Sequence, residues 1–171
     1  MQEIPFTPVL EPLKHQSAFL SEAGRRSAYG LLWEQGTGKT KALIDDAALL
    51  HCEGMVDAAL VLAPNGVHRN WVVEELPKHW PADLPPFDAH AWSSPSASTQ
   101  RHQQAVARVL QSNGFVWLCM SYDALMTEAG KKASWDLLRS RKTLYILDES
   151  QRAKTPAAKR TKRIIASSVY A

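Results

Sequence analysis

Residues 36–40 read Gly-Thr-Gly-Lys-Thr, a combination typical of a phosphate-binding loop. Its two glycines let the backbone bend so that successive N–H groups point at one anion, and a helix beginning there adds its positive end. The amine of Lys39 can reach the β- and γ-phosphates, and the hydroxyl of Thr40 can bind Mg²⁺. We therefore predict a nucleoside triphosphate site formed by Gln35, Gly36, Thr37, Gly38, Lys39 and Thr40.

The segments around this loop give it the order strand, turn and helix. An apolar run over residues 29–32 predicts a strand, and residues 39–51 predict a long helix. Trp33 stands where the complete motif, G-x-x-x-x-G-K-[ST], has its first glycine. The alternative is a surface loop whose glycines merely permit a tight turn, but the strand and helix favour the phosphate-binding interpretation.

Two acidic residues follow the apolar run at residues 143–147. Carboxylates at the end of a buried strand are costly to desolvate, so they normally face a cation. We predict that Asp148 holds Mg²⁺ through its water shell, and that Glu149 accepts a proton from the water attacking the γ-phosphate. The predicted metal ligands are thus Thr40 and Asp148, and the predicted catalytic residues are Lys39, Asp148 and Glu149. The alternative is two solvated carboxylates at an exposed strand end.

Gln16 lies near the start of a predicted helix over residues 13–23. Its amide has both a donor and an acceptor and can therefore read N6 and N7 of adenine. The residue is equally compatible with a solvated helix face, and the local sequence leaves both interpretations open.

Continuous apolar runs predict strands covered on both faces, as in a parallel sheet, and an alternating run predicts a less buried strand. The continuous runs are residues 58–63, 115–120 and 143–147, and the alternating run is residues 87–92. Helices are predicted between them and over residues 156–171, with Pro77 kinking or ending the helix after residue 66. We expect a three-layer α/β domain with a mostly parallel sheet over residues 13–171, preceded by an extended, proline-rich arm over residues 1–12.

The composition is that of a single globular domain. The chain has 171 residues, 45% of them hydrophobic and 22% charged, and a net charge of +3. No apolar run approaches the ~20 residues of a membrane helix, and no secretory signal is visible, so we expect a cytoplasmic protein. The charge permits a nucleic-acid partner without requiring one. The basic stripe of the last helix is either a solvated face or a contact to phosphates.

Taken together, these motifs resemble the first RecA-like domain of superfamily-two helicase-like ATPases, and in particular the Swi/Snf-type branch common in phage and bacteria. Gln16 falls at that family's adenine-reading glutamine, and residues 36–40 resemble motif I. The remaining similarities are residues 62–64 with 70–74 (motif Ia), residues 121–125 (motif Ib) and residues 148–154 (motif II).

The resemblance implies the ATP-binding half of a DNA-dependent ATPase that uses ATP and Mg²⁺ to move along or remodel duplex DNA. Duplex phosphates would be held by the loops after Pro64 and Ser121. The natural setting would be a bacterial or phage-infected cell. Gln151 replaces the family's usual histidine, which is implied to couple hydrolysis to movement.

The resemblance also implies that the domain is incomplete at its C-terminus. Ala171 falls before motif III, whose strand should lie between the residue 29–32 strand and the strand ending at Asp148. A second RecA-like domain with an arginine finger is expected elsewhere. Such fingers contribute about 10³–10⁵ in rate, so this chain alone should bind nucleotide and hydrolyse it slowly.

Other classes remain open at this point. A kinase-like phosphotransferase would also use a phosphate-binding loop. An RNA helicase or a restriction-translocase subunit would share most of the motifs. A non-hydrolysing module that binds DNA or protein would show no response to Mg·ATP.

Overall fold

The computed structural model describes residues 4–23, 26, 28–153 and 155–171. Its sheet has four strands, all parallel in the described part of the chain, in the order β2-β3-β1-β4. The strands are β1 (Ala58–Ala63), β2 (Asp88–Ala91), β3 (Val116–Ser121) and β4 (Thr143–Leu147). The expected α/β class with a parallel sheet is confirmed.

Helices connect the strands. They are α1 (Lys14–Ala23), α2 (Lys39–Cys52), α3 (Val67–Asn70), α4 (Leu76–His79), α5 (Gln100–Gln111), α6 (Glu128–Ser140) and α7 (Lys159–Ser168). Short 3-10 segments follow β2, β3 and β4, at Ser94–Ser96, Ala124–Met126 and Ser150–Ala153. The last helix is shorter than the predicted span of residues 156–171.

Successive side chains of a strand point to opposite faces of the sheet, so the strands contribute to two hydrophobic cores, one on each face. In β1, Ala59, Val61 and Ala63 face one cluster, while Ala58, Leu60 and Leu62 face the other. The first cluster receives residues of α2, the aromatic ring of Trp71 and α4; the second receives residues of α5, α6 and α7. Both faces of β1 are therefore fully buried, which explains its continuous apolar sequence.

The helical segment after β1 adapts to a proline. It is α-helical in α3, π-helical over Trp71–Glu75 and α-helical again in α4. Because Pro77 has no N–H and its ring crowds the carbonyl four residues earlier, an ordinary α-helix cannot continue through it unchanged. The Leu76 N–H instead bonds to the Trp71 carbonyl, five residues back. The expected disturbance at Pro77 thus takes the form of a π-turn, and the helix ends two residues later.

The strand predicted over residues 29–32 is wrong: these residues form no strand and join no ladder. Tyr29 is 44% exposed and Leu32 is 96% exposed. Among the described residues the sheet ends on one side at β4, which pairs only with β1. A strand needs a neighbour to satisfy its backbone groups, and none is placed beside residues 29–32. Leu31 and Trp33 pack instead against α1.

The described part of the N-terminal arm contains no helix or strand before α1, and residues 1–3 of the predicted arm lie outside the described residues. The arm packs against the rest of the chain: Phe6 is 6% exposed and belongs to the first core cluster. The Thr7 N–H also donates to the Asp83 carboxylate at 2.7 Å. The division into arm and domain stays a prediction. No helix in the described part of the chain is long and apolar enough to cross a bilayer.

Candidate nucleotide-binding site

The loop before α2 has the backbone that its glycines predict. Gly36 and Gly38 have φ of 81° and 77°, in the left-handed region that other residues rarely adopt. Gly38 is the N-cap of α2, and Lys39 and Thr40 form the first turn of that helix. Gln35 and Gly36 are exposed at the tip of the turn. The loop therefore presents the positive end of a long helix beside a flexible cation.

Gln16 braces this loop from α1. Its side-chain Nε2 donates to the Gly38 carbonyl at 3.1 Å, and its Oε1 accepts from the Leu13 N–H at 2.8 Å. The side chain is only 2% exposed, so the interpretation as a solvated helix face is wrong. A Cβ on Gly38 would lie 2.5 Å from Gln16 Nε2, so glycine is required here for close approach as well as for φ. Adenine reading by Gln16 stays a prediction.

Trp33, at the position of the motif's first glycine, anchors the loop to the same helix. Its ring meets the His15 ring edge-on, with centroids 4.6 Å apart, and also contacts Phe19. His15 Nε2 lies 3.0 Å from the Thr37 carbonyl. The sequence offered no signal for these contacts, because they join residues that are neighbours only in the folded chain.

The Lys39 ammonium group lies over the carbonyls of its own loop. Its Nζ donates to Trp33 O at 3.0 Å and to Glu34 O at 2.8 Å. The Thr37 hydroxyl closes the same turn with a bond to Glu34 O at 2.7 Å. A phosphate chain bound in the loop would compete with these two neutral carbonyls for the Lys39 ammonium group. Hydrogen bonds from the ammonium group to a charged phosphate are stronger than those to neutral carbonyls.

Asp148 is fixed at the end of β4 by three elements. The Trp71 Nε1–H donates to its carboxylate at 3.0 Å, and the Tyr122 hydroxyl donates to its carbonyl at 2.8 Å. The Asp148 N–H continues the ladder to Leu62 O at 2.8 Å. Burial raises the pKa of Tyr122, and the Asp148 carboxylate adds to this, so the phenol remains a hydrogen-bond donor at neutral pH. The hydrogen bond from Trp71 thus occupies one lone pair of the Asp148 carboxylate.

Glu149 adopts φ of 54°, an unusual conformation for a residue with a side chain. The left-handed region costs about 1–2 kcal/mol for such a residue, so the surrounding structure must impose it. The Gln151 side-chain amide donates to a Glu149 carboxylate oxygen. The residue that replaces the expected histidine therefore contacts the predicted catalytic base directly. Of the predicted motif II residues, Lys154 lies outside the described residues.

From the length of α2 and the position of its last turn, we infer that the phosphate loop lies toward the same edge of the sheet as the acidic pair. The parallel register pairs Ala63 with Ser121 and Leu62 with Leu147, so β1, β3 and β4 all end at this carboxyl edge. The last turn of α2 lies at the opposite edge, where the His51 ring is 5.1 Å from that of Phe115, the residue before β3. A helix of 14 residues spans about 21 Å, comparable to a six-residue strand, which brings Lys39 back toward the carboxyl edge.

The residues fit Mg²⁺ held partly by nucleotide. Within the described ranges no three His, Cys, Asp or Glu side chains come together as a metal site. Thr40 and Asp148 supply oxygen atoms, which are the ligands that Mg²⁺ prefers, and this ion commonly uses one or two protein ligands together with phosphates and water. Mg²⁺ would therefore depend on bound nucleotide.

Helix α2 also contains buried charges that the sequence analysis missed. Lys41 pairs with Asp45, which is fully buried. Asp46 is 5% exposed; burial raises its pKa to about 7, and the negative charge of Glu53 contributes. The Asp46 Oδ1 has no hydrogen-bond partner in the described part of the chain. The helix that presents Lys39 therefore contains a carboxyl group that titrates near neutral pH.

A cavity of about 570 Å³ opens at the carboxyl edge beyond β1, β2 and β3, and is called the loop cavity below. Its lining includes Asn65, Gly66 and Arg69 after β1, Trp92 to Pro95 after β2, and Ser121 with Asp123 at the end of β3. His68 braces it, with Nε2 3.1 Å from Trp92 O. The two loops predicted to contact DNA, those after Pro64 and Ser121, thus border one concave surface.

Comparison with known proteins shows a likeness at the level of fold. No protein-family model and no curated protein matches the chain. Among solved structures, it is similar to the SWI2/SNF2 ATPase core of Sulfolobus solfataricus, which was solved in complex with double-stranded DNA. The TM-score is 0.67 with 19% sequence identity, and the match covers 95% of this chain. The chain spans 31% of that protein's chain.

Proposed function

We propose that this chain is the ATP-binding part of a DNA-dependent ATPase that couples hydrolysis to movement along, or remodelling of, duplex DNA. The observations that best support this are a glycine loop at the start of a long helix and an acidic residue held at the end of a parallel strand. A glycine loop with Lys39 opens α2, and Asp148 is fixed by Trp71 at the end of β4. The RecA-like fold of the similar SWI2/SNF2 core supports the same assignment.

In this proposal the loop N–H groups and Lys39 bind the phosphates, and Thr40 with Asp148 holds Mg²⁺ on them. Gln35, Gly36, Thr37 and Gly38 supply the loop backbone, and Gln16 holds that backbone in place through Gly38. Bound Mg²⁺ supplies charge neutralisation at the phosphates. Trp71 keeps the Asp148 carboxylate oriented, so little reorganisation is needed when the nucleotide binds.

Glu149 is the proposed general base for the attacking water. Its carboxylate is held by Gln151, so the amide sets the direction in which the base points. We propose that efficient hydrolysis needs an arginine from a second RecA-like domain in a longer protein, a contribution of about 10³–10⁵ in rate. The greater length of the similar SWI2/SNF2 chain supports this.

Duplex DNA is proposed to lie across the loop cavity. The cavity is at the carboxyl ends of parallel strands, where α/β proteins bind their ligands. Its lining includes serine, asparagine and arginine side chains, which suit contacts to phosphate oxygens that position a duplex without reading its sequence. The acidic residue in the lining, Asp123, is paired with Arg160.

The test is thermal unfolding of the chain with and without Mg·ATP, comparing the wild type with Lys39→Ala. Ligand at about 100 times Kd stabilises a protein by about 2.7 kcal/mol, which should raise Tm by about 5–10 °C. Lys39→Ala should abolish this shift, and Lys78→Ala, a change at an exposed lysine on α4, should retain it. A full shift in Lys39→Ala, or none in the wild type, would contradict the nucleotide site.

A further inference from the structure

A second cavity, of about 410 Å³, lies between α6 and α7 and is called the basic cavity below. It is lined by Met126, Lys131, Trp135, Lys159, Lys162, Arg163 and Ala166. Four of these side chains are cationic and none is acidic. Such a concentration of one charge in a concave surface attracts anions and focuses them at the cavity.

Most of this positive charge is not neutralised by the residues that the structure describes. Glu128 is the nearest acid, 3.9 Å from both Lys131 and Arg163, so one carboxylate serves two cations. Arg163 also donates to Leu125 O and Met126 O, which fixes its position. Among the residues that the structure describes, Lys159 and Lys162 have no carboxylate within 4.0 Å, and both are exposed. These two lysines are available to an external anion.

The cavity also has an apolar wall with a fixed aromatic ring. Met126, Trp135 and Ala166 supply the apolar surface. The Trp135 ring is held by Tyr170, with centroids 4.9 Å apart, and by the Arg139 guanidinium 4.8 Å from its centroid. Cationic side chains beside a rigid apolar surface suit a nucleic-acid backbone, because the cations contact phosphates and the apolar surface packs against sugars.

Helix α7 connects the basic cavity to the loop cavity. Arg160, in the first turn of α7, forms an ion pair with Asp123, which lines the loop cavity. Lys159 and Lys162 lie on the same helix, one and two residues away, and line the basic cavity. A polyanion leaving the loop cavity past Asp123 therefore meets α7 next. This continuity favours a nucleic acid over an unrelated acidic peptide.

We propose that the basic cavity is a second phosphate-binding site for the same nucleic acid, extending its path from the loop cavity along α7. This inference rests on the proposed function, because it takes duplex DNA as the partner. The lysines of α7 bind the backbone electrostatically, without base specificity. The site adds affinity and fixes the direction in which the duplex leaves the domain.

The test is fluorescence anisotropy of a short labelled DNA duplex titrated with the chain at several salt concentrations. Lys159→Ala/Lys162→Ala should weaken binding about tenfold at low salt and reduce the slope of log K against log salt by about two, since each phosphate contact contributes about 0.9. The control is Lys14→Ala/Lys78→Ala, which removes the same charge from exposed sites on α1 and α4. It should leave the slope unchanged.

The possible outcomes separate this site from the proposed function. If the chain binds duplex and the α7 variant keeps the wild-type slope, the basic cavity is not a nucleic-acid site, while the DNA partner stands. If the wild-type chain binds no duplex, both proposals fail. A poly-glutamate peptide is titrated in parallel, and loss of peptide binding alone in the α7 variant would assign the cavity to an acidic protein segment. Unchanged thermal unfolding confirms that the variant is folded.

Discussion

The indole N–H of Trp71 donates a hydrogen bond of 3.0 Å to the carboxylate of Asp148, which lies 77 positions later in the chain. Trp71 is 1% exposed and belongs to the π-helical turn before Pro77, so its position is fixed by packing. The hydrogen bond therefore ties the side chain of Asp148, the predicted metal ligand, to a residue that is fixed in the core. This contact gives a physical role to a tryptophan within residues 70–74, the segment that resembles motif Ia.

Trp71→Phe should weaken the Mg²⁺-dependent part of ATP binding severalfold, because the carboxylate loses its orienting donor while an aromatic ring remains. One lost hydrogen bond should also reduce the free energy of unfolding by about 1 kcal/mol, in addition to a packing cost. Calorimetric titration with ATP, with and without Mg²⁺, measures the first effect. Trp80→Phe, which loses a bond to Pro85 O, is the matched control and should leave the Mg²⁺ dependence intact. Equal behaviour of the two variants would remove Trp71 from the site.

Gly38→Ala should be more destabilising than Gly36→Ala. Both positions have positive φ, but an added Cβ meets Gln16 Nε2 at 2.5 Å only at Gly38, while the space around Gly36 is open. The Gly36 variant should lose about 1 kcal/mol from backbone strain, and the Gly38 variant more than that. Urea unfolding measures both.

The double variant Gln16→Ala/Gly38→Ala identifies the cause of this difference. Removing the Gln16 amide removes the clash, so the two substitutions together should cost less than the sum of their separate effects. Strict additivity would mean that Gln16 does not contact the loop.

Asp46→Asn should stabilise the protein at pH 8. Burial raises the Asp46 pKa from 3.8 to about 7. At pH values between these two pKa values, Asp46 is therefore protonated in the folded state and ionised in the unfolded state. The contribution of Asp46 to stability therefore falls as pH rises from about 4 to about 7 and then stays constant. The difference in Tm between variant and wild type should grow over this range. Asp88→Asn, at a half-exposed strand position, is the control; a pH-independent difference for Asp46→Asn would contradict the buried titration.

Glu149→Gln should retain Mg·ATP binding and stop hydrolysis in a protein that includes the proposed second domain. The amide preserves shape and hydrogen-bonding capacity but cannot accept the proton from water. Binding is measured by thermal shift and turnover by phosphate release. Loss of binding would show that Glu149 has a structural role at its strained position.

Local patterns were sufficient to predict the four strands of the sheet, although they also predicted a strand at residues 29–32 that is not formed. The strands at residues 58–63 and 143–147 were predicted with their observed bounds. Burial on both faces explains the continuous apolar sequence of β1, whereas β4 lies at the edge of the sheet and is only partly buried. The loop at residues 36–40 was also predicted from local sequence, because a left-handed backbone conformation before a helix favours glycine.

Contacts between distant segments were not predictable in this way. The apolar run at residues 29–32 is compatible with a strand, but strand formation depends on a neighbour that local sequence does not specify. The bonds from Gln16 to Gly38 and from Trp71 to Asp148 likewise depend on tertiary packing. The π-turn before Pro77 also accompanies the packing of Trp71 and Leu76 into the first core cluster, which local sequence does not specify.

The proposed nucleotide site requires Lys39 and Asp148 to act on one nucleotide. The most direct measurement is a crystal structure of the chain with Mg²⁺ and a non-hydrolysable ATP analogue. We expect Lys39 Nζ to leave its loop carbonyls and lie about 3 Å from a β- or γ-phosphate oxygen, and we expect Asp148 to contact the same Mg²⁺ directly or through one water. A nucleotide bound away from the loop, or a magnesium ion out of reach of Asp148, would contradict the proposed site.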